Sequence, residues 1–362
     1  MSGDGSLPNV VTIFGGVSAE AEISVVSGSA IAASLMERGL SVAQLLITRE
    51  GVAALLPEGH LRGARPPHEY TSERHAASLT DADFRPLREL LAEVLRDRPN
   101  AVFIPALHGP GDESGPVQEA LAKAGVAYVG AAPAAARLGM DKDAFKRLAR
   151  SLNIPTLPHM VVTARDWTQD REATLDEIAA FAARESDGGA LIGKPTAHGS
   201  SIGMRIARDR EEWAAAVDLA LDYGEDALLE PYLEHPRELE IALLEAPDGS
   251  VSAYGPGEVF PGREFYDYDA KYVSGVSTTT VSPQLSEALR SELQQAATTL
   301  FRAFGGRGLA RMDFLVRASG PESGAWYISE VNTFPGFTPI SLFPALLAAH
   351  GMSFADLSLH LV

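Results

Sequence analysis

Residues 308–318, GLARMDFLVRA, and 325–332, AWYISEVN, decide how this chain is read. Within each, a four-residue segment, RMDF (311–314) and SEVN (329–332), carries polar residues two apart. In the first, Arg311 and Asp313 are two apart. Alternate side chains of a strand share a face, which leaves Met312 and Phe314 for the other. In the second, Glu330 and Asn332 repeat the pattern around Val331. If the two strands are antiparallel neighbours, two carboxylates, one amide oxygen and one guanidinium converge on a single face. Hard oxygen donors without cysteine or clustered histidine suit Mg²⁺, which usually keeps waters and shares phosphate oxygens with a nucleotide. The same spacing also fits a solvated sheet face closed by a salt bridge.

Working outward, NVVTIFGG (9–16) is a β-branched run ended by two glycines and reads as a buried strand. Ser18 can cap a helix that starts just after it. Ile23, Val26, Ala30 and Ala33 recur at helical spacing up to Gly39, and SVAQLLIT (41–48) supplies the next strand. A βαβ unit with a Gly-rich first turn predicts a right-handed parallel crossover, with its functional edge at the strand carboxyl ends. Residues 51–86 show no sustained period. A helix over 87–98, a strand over 101–107, the loop HGPGDESG (108–115), a helix opened by Pro116 and the strand VAYVG complete an open α/β domain.

The Ala-rich stretch 131–152 reads as a helix that ends before Pro155 and Pro158, a domain junction. Beyond it the alternation becomes α+β. Expected there are helices over 174–186 and 209–223, strands in ALIGKPT, MRIA and ALLEPYL, and a Gly/Ser loop over 197–203. The last part holds strands ELEIALLEA and VSAYGPGEVF, a helix over 286–304, the two opening strands, and a final helix from about 341.

The chain has 362 residues, 46% hydrophobic and 22% charged, enough for a sizeable core and two or three domains. With 30 Lys+Arg against 48 Asp+Glu the formal charge is −18, so nucleic acid and anionic membranes are repelled, and any bound anion needs a local basic pocket. There is no cysteine, which excludes disulfides and thiolate chemistry. No signal pattern or membrane-spanning run is read, so cytoplasm is the expected compartment.

Other candidates are weaker alone. Lys194 follows an apolar strand and precedes the Gly/Ser loop, where backbone amides can cradle phosphate while the lysine adds charge; an ordinary hairpin fits too. GxxxxGK[ST], GxGxxG and GxSxG are absent. Glu20 and Glu22 sit in a first helical turn, where the helix dipole favours carboxylates, although Glu20 could hold a substrate ammonium. His108 follows a strand and opens a Gly-rich loop, from which it can reach a cleft.

In order, FGGVSAEAEISVVSG, ALHGPG, GMDKDAFK, GKPTAHGSSIGM, EFYDYDAKY, GLARMDF and SEVNTFPGFTPISLFP make the chain resemble the D-alanine:D-alanine ligases of the ATP-grasp superfamily over nearly its whole length. The resemblance implies an α/β and α+β architecture with three domains. These are an N-terminal open parallel-sheet domain (1–140), a central ATP-grasp unit (141–233) and a C-terminal unit (234–362) carrying a mobile loop over 261–275. It implies ATP as substrate, two Mg²⁺ with Mn²⁺ as a substitute, D-alanine as the small-molecule partner, a homodimer, and peptidoglycan precursor synthesis through an acyl-phosphate.

By the same resemblance Lys142, Lys194, Gly199, Ser200, Ser201 and Lys271 contact ATP phosphates, with Glu230 and Glu238 near adenine and ribose. Asp313, Glu330 and Asn332 hold metal. Glu20 takes the first substrate's ammonium, His108 lies near its carboxylate, and Arg311 with the backbone of Gly336 faces the oxyanion. Ser341 and Leu342 match the second subsite, and Glu20, Ser200 and Tyr272 form a trio that closes the loop. HGPGDESG departs from the family's HGxxGEDG: Asp112 stands at a glycine position and Ser114 at an aspartate position. If that glycine needs positive φ, Asp112 is strained. Alternatives are another acceptor (D-lactate, D-serine or a specialised metabolite) and a homologue that binds nucleotide without catalysis.

Overall fold

The computed structural model describes residues 8–57, 79–261, 278–320 and 323–362. Three sheets follow one another along the chain. The first contains β1 (Val10–Gly15), β2 (Val42–Ile47), β3 (Ala53–Leu55), β4 (Val102–Pro105) and β5 (Ala127–Tyr128), in the order β3-β2-β1-β4-β5. β1 runs parallel to β2 and β4, and β4 to β5, while β3 is an antiparallel edge strand within the stretch that showed no period. α1 (Ala21–Glu37) covers one face. α2 (Leu87–Asp97) and α3 (Pro116–Ala124) cover the other, where Val11 and Ile13 meet Leu90, Val94 and Leu121. Burial on both faces explains why β1 is apolar throughout instead of alternating.

α4 (Pro133–Met140) and α5 (Lys142–Ser151) lead out of this domain. The expected single helix over 131–152 breaks at Asp141, whose backbone is extended and whose carboxylate accepts from Ala144 N at 3.0 Å. An aspartate that can cap a new helix competes with continuing the old one. The proline segment after α5 docks on the third sheet, with Ile328 N donating to Pro155 O at 2.9 Å.

The second sheet is wholly antiparallel: β6 (Met160–Thr163), β7 (Leu191–Pro195), β8 (Arg205–Ala207) and β9 (Asp226–Pro231), in the order β6-β9-β7-β8. Its core is closed by α6 (Ala164–Gln169), α7 (Arg171–Glu185) and α8 (Arg210–Tyr223). The third sheet, also antiparallel, holds β10 (Arg237–Glu245), β11 (Val251–Phe260), β12 (Thr278–Thr280), β13 (Leu309–Val316) and β14 (Trp326–Asn332), in the order β12-β11-β10-β13-β14. α9 (Glu287–Ala303) packs on one face with α4 and α5, burying Met312 and Phe314.

The expected final helix is two, α10 (Leu342–Ala349) and α11 (Phe354–His360), separated by Gly351 at φ 89°. Both join the α1 face of the first sheet, so one apolar cluster ties the N-terminal and C-terminal sheets together. Among the described residues no single helix is long and apolar enough to cross a membrane. Ser18 does not cap α1: its hydroxyl accepts from Glu20 N at 3.1 Å and donates to His108 O at 2.5 Å.

α1 approaches β1 closely because Gly28 carries no side chain. A Cβ there would lie 2.5 Å from Phe14 Cδ1, and Phe14 is fully buried. Gly28→Ala gains up to about 1 kcal/mol of helix propensity but forces the ring aside in a packed core, at a cost of about 1–3 kcal/mol. Urea unfolding of the variant is expected to show a net loss of stability.

Candidate active site

The β13–β14 pairing is antiparallel, with Arg311 opposite Asn332 and Asp313 opposite Glu330. The four side chains singled out from spacing therefore share one face. β10 adds a fifth, since Glu240 stands opposite Asp313, and a row of three carboxylates crosses three adjacent strands. Glu240 was not singled out from the sequence. The alternation of Glu238 and Glu240 around buried Leu239 was the available signal.

Arg311 grips Asp313 with two nitrogens, Nε to Oδ1 at 2.7 Å and Nη2 to Oδ2 at 2.5 Å, and its Nε lies 3.4 Å from Glu240. Burial works against its charge, but Asp313 and Glu240 outweigh burial and raise its pKa well above the usual arginine value. Asn332 Nδ2 donates to Asp313 Oδ2 at 3.2 Å, and Lys142 Nζ pairs with Glu330 at 3.1 Å. The face thus offers Asp313, Glu330 and the amide oxygen of Asn332. Among the described residues no three His, Cys, Asp or Glu side chains are grouped so that they could hold a metal ion by themselves. A partial, all-oxygen set opening on a cleft fits Mg²⁺, whose remaining positions go to water and phosphate.

That cleft lies between the second and third sheets and measures about 670 Å³. Lys194 on β7, Glu230 on β9, Glu238 and Glu240 on β10, and Arg311, Asp313 and Glu330 line it, together with residues 198–202 and Met204 of the loop. Ser200 and Ser201 both have positive φ (53° and 55°), a conformation rare outside glycine and concentrated at functional sites. Lys142 Nζ fixes the loop's start by donating to His198 O at 2.5 Å.

Glu230 lines the cleft, but its oxygens are engaged by Lys194 and by Lys146, whose Nζ lies 2.8 Å away. Lys146 was not foreseen. It lies one turn from Lys142 on α5 and is fully buried, a position visible only once α5 is packed. Burial, the largest effect, pushes the Glu230 carboxyl up, yet the two lysines together bring it down to about 2.

A smaller chamber of about 50 Å³ opens beside the same carboxylate face, lined by Glu20, His108, Ser200, Arg311 and Gly336. Ser200 Oγ donates to Glu20 Oε1, so two members of the expected trio meet. His108 Nδ1 faces Phe334 O at 3.1 Å and its Nε2 faces Ser27 Oγ at 3.1 Å. Burial lowers its pKa, which favours the neutral ring. Ser27 Oγ also accepts from Phe337 N at 3.3 Å, so both sides of Gly336 are tied to the first domain. Glu113 adds to this tie, accepting from Thr333 N (2.9 Å) and Phe334 N (3.2 Å). Burial drives its carboxyl up to about 7 against those amides.

Asp112 corrects the strain expected in HGPGDESG. It is not among the positive-φ residues; Gly109, Gly111 and Gly115 supply those turns. Ser341 and Leu342 reach neither cavity. The Ser341 hydroxyl meets Thr338 Oγ1 at 2.8 Å, and Leu342 is packed in the apolar cluster beside Gly257. Lys271 and Tyr272, with residues 262–275 of the expected loop, lie outside the described residues.

A family model described as D-ala D-ala ligase N-terminus matches residues 9–131, and one described as D-ala D-ala ligase C-terminus matches residues 148–362. The chain belongs to the D-alanine:D-alanine ligase family. It is 37% identical to the D-alanine–D-alanine ligase of Corynebacterium aurimucosum, covering 96% of this chain and 94% of that one. Identity to the Heliobacterium modesticaldum ligase is 35%, over 98% and 93%. The solved D-alanyl-alanine synthetase A of Vibrio cholerae superposes with a TM-score of 0.75 at 27% identity, over 97% and 96%. The D-Ala:D-Ser ligase VanG of Enterococcus faecalis reaches 0.76 over 98% of both chains, but at 24% identity that likeness is one of fold.

In this ligase-family chain the Lys146–Glu230–Lys194 cluster has a testable linkage. The Glu230 carboxyl sits at about 2 against an ordinary 4.5. Its stabilisation is therefore fully present above pH 4.5 and lost as pH falls toward 2. Lys146→Met is expected to destabilise by less than the roughly 3–5 kcal/mol of a fully orphaned buried charge, because Lys194 remains. In urea titrations, the gap between wild type and variant narrows as pH falls through that window.

Proposed function

We propose that this chain condenses two D-alanines to D-alanyl-D-alanine with ATP, for peptidoglycan precursors, releasing ADP and phosphate. The observation that carries this reading is the β13–β14 register. It sets Arg311, Asp313, Glu330 and Asn332 on one face, with a nucleotide-sized cleft on one side and the Glu20 chamber on the other.

Lys142 and Lys194 both line the cleft and supply positive charge for the phosphates in a protein whose net charge would repel them. The amides of Gly199, Ser200 and Ser201 add donors. Glu238 and Glu230 line the cleft and are assigned to ribose and adenine by family likeness, and Glu230 also holds Lys194 in place. Asp313, Glu330 and Asn332 would hold Mg²⁺, two ions by family likeness with Mn²⁺ as substitute, supplying charge neutralisation at the transferred phosphoryl group.

Glu20 receives the ammonium of the first D-alanine, whose carboxylate attacks the γ-phosphate to give an acyl-phosphate. His108, neutral and held at both ring nitrogens, shapes the wall beside that carboxylate without adding charge. The second amine then attacks the acyl carbon and phosphate leaves. Arg311 and the Gly336 amide face the oxygen on which charge develops. The ties from Ser27, His108 and Glu113 keep the loop bearing Gly336 in register with the first domain.

Purified protein supplied with Mg-ATP and a panel of D-amino and D-hydroxy acids, with products read by mass spectrometry, tests the reading. D-Ala-D-Ala is expected to dominate at neutral pH when D-alanine and D-lactate compete. A mainly depsipeptide product, or D-Ala-D-Ser in preference when D-serine is offered, overturns the acceptor assignment. Glu330→Gln is expected to lower turnover by at least about 10² while circular dichroism stays unchanged, because a neutral amide is a poorer Mg²⁺ ligand. Unchanged phosphate release with Mg²⁺ as sole metal would remove Glu330 from the metal face.

A further inference from the structure

After β1 the chain turns at Gly15 and Gly16, at φ 88° and 112°, and the next two amides converge on one side chain. Val17 N donates to Asp112 Oδ1 at 3.2 Å and Ser18 N to Asp112 Oδ2 at 2.8 Å. Asp112 is 2% exposed. A Cβ on Gly16 would fall 2.3 Å from Asp112 Oδ2, so the carboxylate occupies the space that the glycine leaves. Successive backbone amides around such a turn make an anion-binding concavity, and here the anion is a side chain of the same protein.

The same turn is also held by Arg49. Its Nη1 donates to Ser18 O at 2.8 Å while Nη2 grips both oxygens of Glu22, at 2.6 and 2.7 Å. Ser18 then carries the constraint into the substrate chamber. Its hydroxyl donates to His108 O at 2.5 Å and accepts from Glu20 N at 3.1 Å, and the Glu20 carboxylate in turn accepts from Ser200. Every link between Asp112 and Glu20 is thus a hydrogen bond to backbone or to a buried hydroxyl. Asp112 itself lines neither cavity.

We propose that Asp112 is a positioning residue for the first substrate: by filling the amide concavity at Val17 and Ser18 it fixes the turn that aims Glu20 at the substrate ammonium. The inference rests on the ligase reading of Glu20. An aspartate suits the task because it presents two acceptors to two donors. Asparagine keeps one acceptor and turns an NH₂ toward the other amide, leaving a buried donor without a partner.

Asp112→Asn is expected to raise the KM for the first D-alanine by about tenfold, the loss of one charge-assisted hydrogen bond, and to leave the KM for ATP within about twofold. A purely structural role would not produce that split. If the effect passes through Glu20, it is non-additive: in a Glu20→Gln background Asp112→Asn adds no further rise in that KM. An unchanged D-alanine KM, or an equal rise in both backgrounds, overturns the proposal. Should Asp112→Asn fail to fold, Arg49→Gln, on the solvent side of the same turn, carries the same expectation at smaller magnitude, and an unchanged D-alanine KM there overturns it. A wild-type protein that forms no ADP with D-alanine instead defeats the ligase reading, which keeps the two failures apart.

Discussion

Arg311 and Asp313, locked together by two short hydrogen bonds on β13, are the pair on which the site depends. Three carboxylates lie in register across β10, β13 and β14, and one guanidinium cannot neutralise them. Like charges opposite one another in a sheet repel. The row is tolerated because Arg311 bridges two of its members and Lys142 reaches the third from α5. What negative charge remains faces the cleft, where, in the proposed reading, a divalent cation and nucleotide phosphates would complete the balance.

The same logic explains how an acidic protein takes an anionic substrate. Its −18 formal charge is spread over the surface, while Lys142, Lys146 and Lys194 are buried around one wall of the cleft. Glu230 keeps that concentration of ammonium groups tolerable. With Lys146 on one side and Lys194 on the other it is an ionised carboxylate in a dry place, and each lysine holds the others' counter-charge in position. Breaking one member leaves a buried charge, which is more costly than never having buried the group.

Three separate sheets must agree for the chamber beside the metal face to exist. The loop bearing Gly336 leaves β14, yet its hydrogen bonds go to Ser27, His108 and Glu113 of the first domain. Glu20, from the first domain, is met by Ser200 from the second. The apolar cluster joining α1, α10 and α11 ties the first and third sheets together. Such ties hold groups from distant parts of the chain in one geometry, and group transfer depends on orientation of that kind.

Much of this was legible in the sequence because it obeys local periodicity. The period of two put Arg311 with Asp313 and Glu330 with Asn332, and pairing the strands did the rest. A β-branched run marked β1, the apolar stretch after Gly39 marked β2, and Pro116 marked the start of α3. Where the sequence reading went astray, a local competitor had won: Asp141 capped a new helix inside an Ala-rich run, and Gly351 split the last helix. Lys146, Glu240 and the place of Asp112 were not legible, for a common reason. Each owes its role to a partner far along the chain, Glu230 for Lys146, Arg311 for Glu240, and the Val17 and Ser18 amides for Asp112. Sequence spacing fixes which side chains share a face of one element. Only the packing of three sheets decides which faces meet, and a buried charge reveals its purpose only through the group it meets.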